Sequence, residues 1–247
     1  PFDFQHIIEE LHQKDILQYR DVEGQKLIEL AHIWLRDIIL ANIPKEQKKQ
    51  LHYALGRTHE AYHQNNIGSV VEKLAYHFEQ AEKSGKGYAY LLQASQNLRS
   101  RSMFHEALSY LDRALKIEPY AREHLTLENA EGQLAELLLN YSFIAQRLGE
   151  GHLAQKQANL ADQIAGDQKN IVLLAKIATE KACQARERYN LGEADLQIRR
   201  ALSYAEQSGQ LQLQILPLYE QGALYWEESQ MDKAKESFEK ALDLSEQ

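Results

Sequence analysis

The stretch Ala234-Lys-Glu-Ser-Phe-Glu-Lys-Ala241 has alanines seven residues apart with Phe238 between them, and it decides how this chain folds. The pattern occurs three times before, as Ala107/Leu111/Ala114, Ala154/Ala158/Ala161 and Ala194/Ile198/Ala201, so the leading alanines lie 47, 40 and 40 residues apart. Offsets of four and seven put the three side chains on one face of an α-helix. Self-similarity at a period of roughly 20–50 residues marks stacked repeats, in which no unit buries its own apolar face without its neighbours. Such a stack offers an extended surface for binding rather than a closed catalytic pocket.

Composition agrees with this reading. Of the 247 residues 44% are hydrophobic, enough for a substantial core, and 12 Gly and 4 Pro leave little sequence for long loops. Abundant Leu, Ala, Glu, Gln and Lys favour helix throughout. The net charge of -8 argues against a general phosphate-backbone binder, which needs clustered Lys and Arg, so nucleic acid is not expected as a partner. The single Cys183 rules out an intramolecular disulfide and fits a reducing, cytoplasmic compartment. It falls in a helical stretch and reads as a small apolar residue. Glu29, Arg36 and Asp37 interrupt the most apolar run, so no membrane span is expected. The chain opens on Pro1 without a Met, which suggests a piece of a longer polypeptide.

Along the chain, Phe4, Ile7, Ile8 and Leu11 have helical spacing with Asp3 as N-cap. Ile16 to Arg20 and Lys26 to Leu30 then read as two short strands around a turn that contains Gly24. A helix and hairpin ahead of an otherwise helical chain look like the end of a winged-helix unit. Lys14, Arg20 and Lys26 are too few for a phosphate footprint, which makes it a packing module rather than a DNA reader. Helices are expected at Ile33 to Asn42, Lys45 to His63 and Ser69 to Lys83, with a break at Ser84 to Gly87 capped by Gly85. Three regions follow: 1–44, a winged-helix-like remnant and linking helix; 45–86, an atypical helix pair; and 87–247, the repeats.

The repeats resemble the tetratricopeptide (TPR) pattern from about Gly87 to Gln247. The last fits best, with Gly222 at the small position, Tyr225 three later, then Ala234, Phe238 and Ala241. The first has Leu91, Ser95, Leu98, Ala107, Leu111, Ala114 and a closing Pro119. The resemblance implies an all-α, right-handed superhelix of antiparallel helix pairs. Ala158 and Ile198 depart from the aromatic preference, and the 40-residue spacing implies longer helices than usual.

A second resemblance covers the N-terminal third. The run AHIWLRDIILANIPKEQKKQLHYALG, Ala31 to Gly56, resembles the segment that follows the winged-helix portion of STAND-type signalling ATPases. The matching features are His32, Arg36-Asp37, Pro44, Lys48-Lys49 and Leu51-His52. The run KLAYHFEQA, Lys73 to Ala81, resembles the helix that precedes the repeats there. The resemblance implies the regulatory segment of a bacterial signal-transduction ATPase, with the ATPase domain of the same polypeptide among its partners. No GxxxxGK-[ST] phosphate loop occurs in these residues, so this segment is not the ATPase.

Catalytic motifs are few. His59-Glu60-Ala61-Tyr62-His63 spells HExxH, which on a helix sets two imidazoles one turn apart beside a carboxylate, as in zinc proteases. Asn66 and Ser69 stand where the extended motif needs Gly and His, and neither Glu79 nor Glu82 has the flanking sequence of a third ligand. His59 and His63 therefore read as surface residues; with His52 they share a face that is at most a weak metal or proton site. No cofactor is implied, and the segment is expected to be non-catalytic.

In TPR arrays the concave surface is lined by the first helix of each pair. The register implies Leu92, Gln96, Arg99, Leu139, Phe143, Arg147, Lys176, Thr179, Arg186, Tyr219 and Trp226 as groove residues. Aromatic and Arg side chains are enriched at binding hot spots. Leu92 and Gln96 replace the Lys and Asn that clamp a C-terminal carboxylate in chaperone-binding TPRs. Arg99, Arg147, Lys176 and Arg186 suggest an acidic or amphipathic peptide or protein ligand. A peptide-pheromone-type receptor, an HExxH protease and a winged-helix DNA-binding regulator are the alternatives. Helix in place of the hairpin would favour the first of these.

Overall fold

The structure, a computed structural model, describes residues 3–22, 25–124 and 130–246. Among them the chain forms twelve α-helices and one two-stranded sheet. Helix α1 (Phe4–Gln13) is followed by β1 (Leu17–Val22), β2 (Gln25–Leu30) and α2 (Ile33–Asn42). Asp3 caps α1 as its sequence predicts, accepting from the His6 amide at 3.2 Å. The strands pair antiparallel with Leu17 opposite Leu30 and Val22 opposite Gln25. The expected turn at Gly24 lies outside the described residues. His12 Nδ1 sits 2.8 Å from the Leu17 carbonyl oxygen and ties α1 to the hairpin. None of the described residues before Gly56 is buried, and Phe4, Ile33 and Trp34 are each more than half exposed.

Helix α3 (Lys45–Tyr62) begins after Pro44, whose fixed φ suits a helix start. A 3-10 turn at Ile67–Val70 leads into α4 (Val71–Gln80) and then α5 (Ser84–Ser100). The sequence predicts a break at Ser84 to Gly87, but these residues form the first turn of α5. The chain instead reverses at Glu82, which takes a left-handed φ of 52°. The glycine serves helix contact: a Cβ at Gly87 would stand 3.4 Å from the Glu79 backbone nitrogen on α4. Glu82 is held in the turn by Lys49 at 2.7 Å and Lys45 at 3.2 Å, both from α3.

The array continues with α6 (Phe104–His124), α7 (Ala130–Arg147), α8 (Gly151–Asp167), α9 (Ile171–Glu187), α10 (Leu191–Ser208), α11 (Gln212–Glu227) and α12 (Met231–Ser245). Helices α5/α6, α7/α8, α9/α10 and α11/α12 pack as sequential antiparallel pairs, and α9 also touches α7 on one side and α11 on the other. This is a TPR-like array. Every alanine of the repeated pattern is buried, and seven of the nine fall to 0% exposure. A methyl group at each crossing lets paired helices approach closely, where a larger side chain would force them apart. The buried stripe runs on to Ala165 in α8 and Ala205 in α10. That extra turn accounts for helices of 17 or 18 residues and for the 40-residue spacing.

Pro119 does not close the first repeat; α6 passes through it to His124. A proline removes one helical hydrogen bond, but Ala121 beyond it is fully buried and holds the helix in place. Among the described residues, turns of the array end in a left-handed residue, glycine at Gly149 and Gly209 and a non-glycine residue at Ser102, Lys169, Tyr189 and Ser229. At each of these four the next amide reaches back five residues, as Asn190 to the Ala185 carbonyl at 2.9 Å and Gln230 to Tyr225 at 2.8 Å. This helix-ending motif satisfies carbonyls that the helix leaves unpaired.

The last pair closes around Gly222, where a Cβ would lie 2.6 Å from Phe238 Cε1. Phe238 is half-buried there, with its ring 5.6 Å from that of Tyr219. Gly222→Val is expected to lower stability by about 2–3 kcal/mol through overpacking. The few tenths that Val gains over Gly in helix propensity do not offset this. Thermal unfolding checks it, and a second change, Phe238→Leu, should recover part of the loss.

Candidate ligand groove

Because the second helix of each pair lies outside, the first helices α5, α7, α9 and α11 form one continuous inner wall. They enclose an open cavity of ≈ 500 Å³ to which all four contribute. Its apolar patches are Leu139 and Phe143 from α7 and Leu213 and Leu216 from α11. Phe143 is flanked by cations: the guanidinium carbons of Arg99 and Arg147 lie 4.7 and 5.1 Å from its ring centroid. Such contacts fix long Arg side chains against a flat apolar surface and leave their N–H edges available. Arg99 also donates to Asn140 Oδ1 at 2.6 Å.

Seven of the residues expected from sequence meet at this cavity: Gln96, Arg99, Leu139, Phe143, Arg147, Lys176 and Thr179. Leu92 lines a smaller adjoining recess with Gln96 and Arg99. The other three lie elsewhere. Arg186 is turned into the seam between α9 and α11, where it meets Glu220 at 2.9 Å and Glu227 at 2.8 Å. Burial opposes its charge, but the two carboxylates outweigh that and hold the guanidinium above its ordinary value. Arg186 therefore has a structural role in this arrangement. Tyr219 packs on Phe238, and Trp226 is 62% exposed, away from the cavity. A register counted in 34-residue units drifts along helices that are a turn longer, and the error is largest in the last repeats.

The same drift hid Glu136, Asn140, Glu180 and Cys183, and the first turn of α11 with Leu213 and Leu216. Continuing each helix by one turn on the same face would have found them. The acidic members change the electrostatics. Lys176 lies 3.4 Å from Glu136, and Arg147 lies 3.9 Å from Glu187. The groove thus offers both signs of charge around an apolar floor. Burial, with Glu220 and Glu187 nearby, pushes the Cys183 thiol up to about 12, which disfavours the thiolate form.

The HExxH residues do not converge. Glu60 accepts from Lys86 Nζ at 2.7 Å and Tyr90 Oη at 2.7 Å. Burial works against its charge, but these bonds outweigh it and hold the carboxyl below the usual range. His59 and His63 stack with ring centroids 6.0 Å apart. His52 Nδ1 instead lies 3.0 Å from His77 Nδ1 on α4, and burial lowers both imidazoles. Among the described residues no group of three or more His, Cys, Asp or Glu side chains is placed to hold a metal ion. Among them, too, no helix is long and apolar enough to cross a membrane.

No sequence-family profile matches the chain, and no curated protein matches it in sequence. Solved structures do resemble it in fold. Aspartyl phosphate phosphatase F from Bacillus subtilis aligns with a TM-score of 0.63 at 14% identity, covering 98% of this chain and 61% of the other. A Rap protein complexed with competence and sporulation factor aligns at 0.59 and 14% identity, covering 82% of this chain and 66% of the other. BtubC from P. vanneervenii aligns at 0.55 and 14% identity, over 83% of this chain and 92% of its own. At such identities the likeness establishes a shared TPR-like helical-repeat fold and says nothing of activity.

Proposed function

We propose that this chain is a non-catalytic scaffold that binds a peptide or protein segment along the inner wall of α5, α7, α9 and α11. The observation that carries this reading is the ≈ 500 Å³ cavity in which Arg99 and Arg147 bracket the exposed side of Phe143. Apolar anchors among fixed polar groups are what a short amphipathic segment needs. Acidic groups of that segment fit Arg99, and its apolar side chains fit Leu139, Phe143 and Leu216. The helix, hairpin and helix ahead of the repeats, in the order of STAND-type ATPases, support a regulatory role within such a protein. There, ligand in the groove would alter contacts with the ATPase domain.

The fold likeness to a Rap protein complexed with competence and sporulation factor favours a second reading, a peptide-responsive receptor. The hairpin Leu17–Val22 and Gln25–Leu30 weighs toward the first, because a helical bundle is expected at that place in the second. Both readings use the same groove. A peptide selected on this chain from a random phage-displayed library is expected to bind Phe143→Ala at least about tenfold more weakly, the loss of one hot-spot side chain. Leu196→Ala, on the outer helix α10, should bind it as the unaltered chain does.

A further inference from the structure

Among the described residues, one carboxylate of the groove wall has no cation within ion-pair distance. Glu180 faces the cavity from the middle of α9. Among the described residues its hydrogen-bond donor is the side-chain amide of Gln184, at 2.9 Å. That amide is itself fixed: Gln184 is buried at 1% exposure and also donates to Ser142 Oγ at 2.7 Å. The Ser142 hydroxyl in turn donates to the Ala154 carbonyl at 2.8 Å. A chain of side chains ending on the α8 backbone thus holds the carboxylate in place. The neighbouring acids are matched, Glu220 by Arg186 at 2.9 Å, Glu187 by Arg147 at 3.9 Å and Glu136 by Lys176 at 3.4 Å.

Glu180 is different. Burial raises its carboxyl above the ordinary range; the Gln184 hydrogen bond and the charge of Arg147 oppose this without cancelling it, and Glu187 and Glu220 add smaller effects in the same direction as burial. A carboxylate partly removed from water and unpaired is where an incoming cation gains most, because its desolvation cost is already met in the free protein. The Gln184 contact does not itself need an acid, since the side-chain carbonyl of a glutamine could accept the same bond, though without the charge.

We infer that the ligand seats a cationic nitrogen, from a Lys or Arg side chain or a free amino terminus, on Glu180. An adjoining apolar group of the ligand then lies on Phe143. This rests on the groove being the ligand site, and it reverses the simplest expectation from the arginines, since the groove's centre selects for a positive group.

Random peptides displayed on phage, selected in parallel on the unaltered 247-residue chain and on Glu180→Gln, test it. The expected result is enrichment of Lys or Arg beside an apolar residue on the unaltered chain and its loss on Glu180→Gln. A synthetic copy of the selected peptide should bind Glu180→Gln at least about tenfold more weakly, as for a charge-assisted hydrogen bond. Replacing Lys by norleucine or Arg by citrulline in the peptide, or acetylating its amino terminus, identifies which nitrogen is used. Glu180→Gln should melt no lower than the unaltered chain, so a loss of binding is not a loss of fold. Peptides that need Phe143 but carry no cationic preference, or that bind Glu180→Gln equally well, overturn this inference alone. Peptides indifferent to Phe143→Ala, or no enrichment at all, overturn the groove reading and this inference with it.

Discussion

Phe78→Ala is expected to destabilise the chain by about 3–5 kcal/mol, the range for removing a buried aromatic ring. Phe78 is 0% exposed in α4 and joins three helices. Its ring stacks on Tyr90 of α5 at 5.5 Å and 12°, and meets Tyr53 of α3 edge-on at 6.1 Å. Lys86 Nζ lies 4.9 Å from the ring centroid. On α3 the ring rests against Gly56, where a Cβ would come within 3.0 Å of it. Such a fit leaves no side chain able to fill the space left by alanine, so the cavity term adds to the lost transfer energy. Because repeat arrays are stabilised by neighbour-to-neighbour contacts, the loss should fall on the N-terminal end. Amide hydrogen exchange should quicken in α3 and α4 and stay unchanged in α9 to α12. Uniform quickening, or an unchanged denaturation midpoint, would contradict the packing described here.

Arg186→Ala should cost about 3 kcal/mol, because it strands a buried acid rather than because it removes a favourable pair. Glu220 is 8% exposed, and Arg186 is the cation that meets it, at 2.9 Å. Without the guanidinium the α9–α11 seam holds an unpaired carboxylate beside Cys183 and close to Glu180, both of which sense its charge. The double variant Arg186→Ala, Glu220→Gln should therefore recover at least half of the loss in a urea midpoint. Equal stability of the single and double variants would mean that water already solvates Glu220. The repeat register implies Arg186 as a ligand contact, but its bonds to Glu220 and Glu227 mean that substitution there acts on the α9–α11 seam.

The pattern of alanines at offsets of four and seven carried the architecture because those side chains are the ones caught between helices. Position in the helix and burial coincide there, so period alone finds them. The N-terminal helix and hairpin were legible for a similar reason: Asp3 caps locally, and the change of period after Leu11 is a local event. Turns were not, because most left-handed positions are filled by Ser, Lys, Glu or Tyr, and the glycines at 85 and 87 lie inside a helix. The groove was half legible. Leu139, Phe143 and Arg147 of α7 follow from the repeat register, whereas Glu136, Asn140, Glu180 and the residues of α11 require the true helix length, and the lack of a cation within ion-pair distance of Glu180 among the described residues shows only in three dimensions.

In the proposed binding mode the ligand lies along the inner wall, not on the outer helices or the exposed N-terminal unit. The most direct measurement is the affinity of one library-selected peptide for the unaltered chain, Phe143→Ala and Leu196→Ala. The expected result is a loss of at least about tenfold for Phe143→Ala and none for Leu196→Ala. Full affinity in Phe143→Ala, or an equal loss in both, would contradict it.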